Sequence, residues 1–240
     1  MKIDDLNENR SFPINNTELN KFFDKVISKC SDSVTNILNN NVIYRGLGTR
    51  NKAEFMIWQQ SNRTRSSANY GKDYYVDIIN HLPSWKAFPD RSKSIICSID
   101  YSYAASYSYN YNTYVVCPIN GSVLAHCNVL DFWESEVDSD RKKLLIEEFP
   151  QFRGTGHDIY DIIGEIYQLK KTSSGVNFDR LLKVLNYVLD PASMNFGQAD
   201  VANFFKLDMH PRTEVWTEGT CYAFNESYLN HFRDYVEDKR

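Results

Sequence analysis

The chain has 240 residues, of which 42% are hydrophobic and 24% are charged, a composition ordinary for a water-soluble globular protein with a substantial core. The formal net charge of −4 excludes a global polyanion-binding footprint, so nucleic acid as a partner would need a local patch such as Arg63, Arg65 and Lys72. No run of about 18 apolar residues is present, and residues 1–10 lack the apolar segment of a signal peptide. We therefore expect a cytoplasmic protein with no membrane partner.

The cysteines and histidines carry no sign of a cross-linked or metal-bound fold. The five cysteines are odd in number and none form a Cys-x-x-Cys pair, which favours reduced thiols over a disulfide framework. The five histidines are scattered, and no spacing typical of a metal site occurs. We therefore expect no metal.

The first half of the chain alternates helical and strand-like patterns. The segments, in chain order, are a polar arm at 1–15, one or two helices over 19–38, a strand at 42–48, short helices at 52–60 and 74–82, and a strand at 94–98. Three consecutive asparagines at 39–41 end the helical part. They separate an N-terminal arm and helical segment, 1–41, from a domain that spans 42–240.

The second half continues the alternation. Its segments are a short helix at 101–109, a strand pair at 114–118 and 122–127 around Asn120 and Gly121, helices at 142–149, 159–169 and 178–189, a loop with a short helix at 192–209, and a strand that carries Glu214. Residues 221–224 are expected to pair back with the Glu214 strand. Helices followed by short strands interleaved with helices predict an α+β fold.

Arg45 stands out because it lies in an apolar stretch that ends in glycine. An unpaired guanidinium is expensive to bury, so Arg45 should have an anionic partner, either a carboxylate of the chain or a ligand. Ser98 ends the second predicted strand, and Glu214 lies in a third. Arginine, serine and glutamate on three strands in this order indicate a site for an anion and a sugar.

Glu214 has informative neighbours on its own strand. Because strand side chains alternate between faces, Arg212, Glu214 and Trp216 are expected to share one face. A glutamate in that setting can hydrogen-bond a ribose hydroxyl and stabilise positive charge that develops on a sugar. A half-exposed strand with a cross-strand salt bridge is the alternative interpretation.

The motifs, taken together, resemble a known enzyme family. They are Tyr44-Arg45-Gly46, Ser94-Ile-Ile-Cys-Ser98 followed by Ala104-Ala-Ser-Tyr107 and Val115-Val-Cys-Pro-Ile-Asn-Gly121, and Thr213-Glu214-Val-Trp-Thr-Glu-Gly219. In order, spacing and strand context they are similar to the three signature regions of the R-S-E class of mono-ADP-ribosyltransferases, which includes bacterial toxins and phage-encoded enzymes. The resemblance extends over about 42–224.

The resemblance implies a split two-sheet β core with NAD, the substrate, in the cleft between the sheets. Arg45 would pair with the NAD diphosphate, and the Gly46 backbone would lie close to the nicotinamide amide. Ser98 would hydrogen-bond the glutamate and the nicotinamide ribose. Glu214 would hold the ribose 2′-hydroxyl and favour the oxocarbenium-like state as nicotinamide leaves, and Tyr107 could stack on nicotinamide.

Two positions depart from the family pattern. The Ser-Thr-Ser element that begins at Ser98 continues here as Ile99 and Asp100. Two residues before Glu214, where the family usually places Glu or Gln to orient the acceptor, this chain has Arg212. An arginine there argues against arginine acceptors. It is compatible either with contact to an anionic acceptor such as nucleic acid or with a role only in stabilising Glu214.

The expected protein is thus an NAD-dependent mono-ADP-ribosyltransferase of toxin, phage-effector or defence type. Its acceptor is a base of RNA or DNA or a protein side chain, with Arg212 and Phe204 on the acceptor side, and an antitoxin or inhibitor protein is a candidate partner. Phe205 is an equivalent candidate to Phe204, and core packing is the alternative role for at least one of them. Two further alternatives are an enzyme like the RNA 2′-phosphotransferases and a catalytically silent NAD-fold module that binds a partner protein.

Overall fold

The computed structural model describes residues 16–48, 53–59, 73–109, 112–129, 132, 135, 137–150, 162–165 and 178–240. The strands in these ranges are β1 (Tyr44–Gly46), β2 (Phe55–Trp58), β3 (Ile95–Ser98), β4 (Thr113–Pro118), β5 (Val123–Cys127), β6 (Phe196–Asp200), β7 (Glu214–Thr217) and β8 (Cys221–Asn225). The helices there are α1 (Asn16–Lys29), α2 (Ser31–Leu38), α3 (Asp73–His81), α4 (Tyr101–Ser106), α5 (Ser139–Glu148), α6 (Phe178–Val188), α7 (Val201–Phe204) and α8 (Leu229–Glu237). The mixture confirms the predicted α+β class.

The strands form one antiparallel sheet in the order β2-β8-β4-β1-β3-β7-β5-β6. Residues 218–220 alone connect β7 to β8, although β4, β1 and β3 lie between these strands in the sheet. A flat sheet would separate β7 from β8 by about 19 Å, whereas four Cα steps span at most about 14 Å. The sheet therefore folds over, and the β1 half (β2, β8, β4, β1) faces the β3 half (β3, β7, β5, β6).

The two halves join through one residue pair in the described strands, Tyr44 of β1 opposite Ser98 of β3. Continued pairing would place Gly46 opposite Ile96, but at that point β1 leaves β3 and remains paired only with β4. The predicted split two-sheet core is thus a single hydrogen-bonded sheet with a narrow junction. The ADP-ribosyltransferase fold itself stays a prediction.

Helices cover both outer faces of the folded sheet. On the β1 half, Phe23 of α1 stacks edge-on against Phe224 of β8, with ring centroids 5.5 Å apart, and α2 and α8 complete that cluster. On the β3 half, α3, α5 and α6 pack over β7, with Leu185 and Trp216 in one buried cluster. The N-terminal helical segment is therefore packed into the same body as the sheet.

A third cluster lies between the two halves. It includes Val116 of β4 in the β1 half and Leu124 of β5 in the β3 half.

All five cysteines are buried free thiols, and they are Cys30, Cys97, Cys117, Cys127 and Cys221. Burial raises the pKa of Cys30 to about 12, so this thiol stays protonated at neutral pH.

Two predictions of local structure are wrong. Residues 55–58, predicted within a helix at 52–60, form β2, whose backbone pairs with β8. Ile57 there is exposed, whereas Met56 and Trp58 pack between the halves, an alternation that suits a strand. Strand β6, predicted as loop and short helix, pairs with β5 over five residues.

The predicted strand pairings are also wrong in two places. A turn does close at 119–122, where the Ser122 backbone N–H donates to the Ile119 carbonyl at 3.1 Å, and Gly121 has a φ of 76°. However, β4 and β5 then diverge into opposite halves instead of pairing with each other. β8 likewise pairs with β2 and β4 and not with β7.

Several predicted segments lie outside the described residues. They are the polar arm at 1–15, the loop with Arg63, Arg65 and Lys72, and most of the helix at 159–169, of which 162–165 are helical. None of the described helices combines the length and the apolar content that crossing a bilayer requires.

Gly46 permits close packing of α4 on β1. A Cβ at this position would lie 2.0 Å from the Ala104 carbonyl oxygen and 2.9 Å from the Ser108 backbone nitrogen. Since both atoms belong to the backbone, neither can rotate away, and a side chain would push α4 off the strand.

We expect Gly46→Ala to lower the free energy of unfolding by about 1–3 kcal/mol, the usual cost of overpacking. Urea denaturation monitored by tryptophan fluorescence would measure the loss. Gly48→Ala is the matched control, because a Cβ at Gly48 would have its nearest neighbour, the Tyr107 carbonyl oxygen, at 3.8 Å. Equal stability of the two variants would contradict this account of Gly46.

Candidate functional site

Arg45 lies where β1 separates from β3. Its Nη1 donates to the carbonyl oxygen of Ile96, the residue that continued strand pairing would have placed opposite Gly46. Its Nε is buried without a hydrogen-bond partner, and the guanidinium carbon lies 5.7 Å from the centre of the Trp58 ring. Within the described part of the chain no carboxylate lies at ion-pair distance from Arg45, so the predicted protein counter-ion is not found there.

The charge of Arg45 is poorly compensated. Burial lowers the pKa of the Arg45 guanidinium, because desolvation disfavours the charged form. The negative charge of Glu214 acts in the opposite direction and favours the guanidinium cation.

Ser98 and Glu214 lie side by side on neighbouring strands. They are directly opposite each other in the β3–β7 ladder, and Ser98 is also opposite Tyr44 of β1. The Ser98 hydroxyl donates to the Thr213 carbonyl at 3.2 Å and accepts from the Asp100 backbone N–H at 3.0 Å. It thus ties the end of β3 to the start of β7.

Glu214 is held by an arginine that the sequence analysis did not single out. Arg91 Nε donates to Glu214 Oε1 at 3.0 Å, and Arg91 Nη2 donates to Glu214 Oε2 at 3.2 Å. The two side chains are only 10% and 6% exposed, and the Arg91 guanidinium also stacks on the Phe132 ring at 4.5 Å. The Phe132 backbone N–H donates to Glu214 Oε2 at 3.4 Å, so this carboxylate is held in position from two sides.

The segment that carries Arg91 is hydrogen-bonded to side chains of β7 and of the residue that follows it. Trp216 Nε1 donates to the Pro89 carbonyl at 3.0 Å, and Glu218 Oε2 accepts from the Asp90 backbone N–H at 2.9 Å. The Asp90 carboxylate in turn accepts from the backbone N–H of Ser92 at 2.9 Å. Because the backbone on both sides of Arg91 is fixed, any movement of its guanidinium has to come from side-chain rotation.

Arg212 does not lie on strand β7 with Glu214. It precedes β7, its side chain is 62% exposed, and its Nε lies 3.5 Å from Asp100 Oδ2. The prediction that Arg212 shares a face with Glu214 is therefore wrong, because the strand begins only at Glu214. Asp100 also caps α4, because its carboxylate accepts from the Tyr103 backbone N–H at 2.8 Å. This cap gives a structural reason for an aspartate two residues after Ser98, where the family pattern has serine.

The remaining predicted site residues divide between surface and core. Tyr107 is 57% exposed at the end of α4, and its hydroxyl lies 2.9 Å from that of Tyr103. Phe204 is fully buried and packs edge-on against His126 and Phe205. Its ring has no exposed face, so the structure assigns Phe204 to the core and not to an acceptor surface, whereas Phe205 is half-buried.

Among the described residues there is no cluster of His, Cys, Asp or Glu side chains that could hold a metal ion. Comparison of the chain with protein-family models, with curated proteins and with solved structures found no match. The family resemblance therefore stays a prediction from three short motifs.

We expect Arg91→Ala to lower the free energy of unfolding by about 3–5 kcal/mol, because it removes the arginine from a carboxylate whose side chain is only 6% exposed. Adding Glu214→Gln to this variant should recover part of the loss, since the amide carries no charge. Chemical denaturation of the two single variants and the double variant would measure the coupling.

The matched control for the Arg91 pair is Arg212→Ala. Arg212 also faces a carboxylate, but its side chain is 62% exposed, so its removal should cost at most about 1 kcal/mol. If Arg91→Ala proved no more destabilising than Arg212→Ala, the buried pair would not be a principal stabilising contact.

Proposed function

We propose that the chain is an NAD-dependent mono-ADP-ribosyltransferase that releases nicotinamide and transfers ADP-ribose to a macromolecule. One observation carries the proposal. Arg45, Ser98 and Glu214 lie on the adjacent strands β1, β3 and β7, around the junction where the sheet divides. The three motifs that suggested the family are far apart in sequence, and nothing in their local patterns requires their strands to be neighbours in the sheet.

Arg45 would bind the diphosphate of NAD. Its side chain is half-buried, its buried Nε has no hydrogen-bond partner, and no carboxylate of the described chain lies at ion-pair distance from it. A partly buried cation in this state is costly unless an anion accompanies it, and a guanidinium matches phosphate oxygens in two-point geometry. The unsatisfied Arg45 thus supports an anionic ligand at the junction.

Glu214 would act on the ribose. A buried carboxylate held at fixed distances can accept a hydrogen bond from the 2′-hydroxyl, and its charge favours the positive charge that develops at C1 as nicotinamide leaves. The acceptor nucleophile then forms its bond to C1, whose bond to nicotinamide has broken. Ser98 would keep β3 and β7 in register, which sets the position of Glu214.

The acceptor side would be formed by Arg212. Its exposed guanidinium lies beside Asp100 at the start of α4. A cation there tolerates a phosphate-bearing or neutral acceptor better than another guanidinium. We therefore favour a base of RNA or DNA slightly over a protein side chain, and mass spectrometry of RNA and protein from expressing cells would identify the adduct.

A second candidate function is a catalytically silent module that binds a partner. The two-point contact of Arg91 with Glu214 favours it, because a guanidinium on both oxygens neutralises the carboxylate that the reaction needs. Release of nicotinamide from NAD by the purified chain separates the two functions. An inert chain would support the silent module.

We expect Glu214→Gln to reduce nicotinamide release by roughly 100-fold or more, because an electrostatic stabiliser of the transition state is lost. NAD should still bind, since Arg45 is unchanged, and calorimetry would measure this. Circular dichroism would establish that the variant is folded. Undiminished nicotinamide release would remove Glu214 from the reaction.

We expect Arg45→Lys to weaken NAD binding at least tenfold, because a point charge cannot reproduce a two-point phosphate contact. Calorimetric titration with NAD would measure the change. Arg180→Lys is the control, since Arg180 lies on α6 in an exposed pair with Glu148. Unchanged NAD affinity together with a large fall in melting temperature would make Arg45 a purely structural residue.

A further inference from the structure

The indole N–H of Trp58 is buried and has no hydrogen-bond partner. Two other tryptophans lie in the described part of the chain, and both donate to backbone carbonyls. Trp85 Nε1 donates to Leu189 at 2.7 Å, and Trp216 Nε1 donates to Pro89 at 3.0 Å. Buried indole N–H groups usually have such a partner, because an unpaired buried donor costs free energy. Trp58 is therefore an exception that requires a physical reason.

Trp58 and Arg45 project from the same face of the sheet. Arg45 is opposite Tyr114 of β4, and Tyr114 is opposite Asn225 of β8. Trp58 is opposite Cys221, which lies four residues before Asn225 on β8. Paired residues share a face, and so do residues an even number apart on one strand. Arg45 and Trp58 therefore both face the space between the two halves, where Trp58 packs on the third cluster.

The two side chains meet on this face although their strands are not neighbours. β8 and β4 lie between β2 and β1, which would separate these two strands by about 14 Å in a flat sheet. The guanidinium carbon of Arg45 nevertheless lies 5.7 Å from the centre of the Trp58 ring, within cation–π distance. The side chains thus converge, and each contributes a buried N–H without a partner, Arg45 Nε and Trp58 Nε1.

We infer that Trp58 is a second ligand-binding residue, whose indole N–H donates to an oxygen of the phosphate group that Arg45 binds. This inference rests on the proposed function for the identity of the ligand, the diphosphate of a dinucleotide. An oxyanion fits the pair, because both unpartnered groups are donors and ionised phosphate oxygens accept hydrogen bonds. Arg45 supplies the charge, and Trp58 adds a neutral donor beside it.

Solvent can reach part of both side chains. Arg45 and Trp58 are each half-buried, although their Nε and Nε1 atoms face inward. β2 is an edge strand of the described sheet, and Ile57 beside Trp58 is exposed. An anion can therefore contact the exposed part of either side chain, and rotation of that side chain turns its inward N–H towards the anion.

Calorimetric titration with inorganic pyrophosphate tests the inference without NAD or turnover. Trp58→Phe keeps an aromatic ring beside Arg45 but removes the N–H, so pyrophosphate should bind about tenfold or more weakly than to the wild type. The melting temperature should fall little, because no hydrogen bond of the unliganded chain is lost. Equal affinity of wild type and Trp58→Phe would overturn the inference, as would a wild-type chain that does not bind pyrophosphate.

Trp85→Phe is the matched control. It removes an indole N–H that already donates to the Leu189 carbonyl, in the cluster on the outer face of the β3 half. This variant should have a lower melting temperature than Trp58→Phe and an unchanged affinity for pyrophosphate. An equal loss of affinity in both variants would show that Trp58 acts only through packing, and it would defeat the inference.

The wild-type chain offers a second measurement that depends on no variant. Heteronuclear NMR resolves the indole N–H groups, and pyrophosphate should shift the Trp58 signal more than those of Trp85 and Trp216, which already have partners. A Trp58 signal that does not move at saturating pyrophosphate would contradict the inference.

The outcome is separable from that of the proposed function. Pyrophosphate binding that depends on Trp58, in a chain that releases no nicotinamide from NAD, would support the binding role of Trp58 and defeat the transferase. Nicotinamide release by a chain whose affinity for pyrophosphate is the same with Trp58→Phe would support the transferase and defeat the binding role.

Discussion

The short connections between the two halves of the sheet are the constraint on which the rest of the structure depends. Three residues between β7 and β8 cannot bridge the strands that separate them in a flat sheet, so the sheet has to fold over. Folding leaves β1 and β3 joined at a single pair, Tyr44 and Ser98. The polar residues of the candidate site lie around that junction. Backbone groups that lose their strand partner there need other hydrogen-bond partners, and the Ile96 carbonyl accepts from the Arg45 side chain.

Electrostatics at the junction are unusual for a protein interior. The Glu214 carboxylate and the Arg91 guanidinium are buried, Arg45 is half-buried on a neighbouring strand, and hydrophobic clusters lie on both sides of the sheet around them. Buried ion pairs rarely add more stability than well-packed apolar side chains of the same volume.

Much of the local structure could be predicted from the sequence, whereas strand partners could not. Helices α1, α2 and α6 have sustained helical spacing, and the strands with Arg45, Ser98 and Glu214 are apolar runs bounded by turn residues. The Asn120-Gly121 turn is also real, but packing between the halves overrides the local hairpin that it suggests. Arg91 could not be predicted, because its partner lies 123 residues away and neither sequence neighbourhood indicates the pairing.

The five buried thiols can report on local unfolding of the chain. A thiol reacts with alkylating reagents as the thiolate, which burial suppresses, so each cysteine stays protected until its layer separates. Cys30 lies under α1 and α2, whereas Cys127 is directly opposite Glu214 in the β5–β7 ladder. Their relative labelling rates would therefore rank the helical layer against the site layer in local stability, with no probe introduced into the chain.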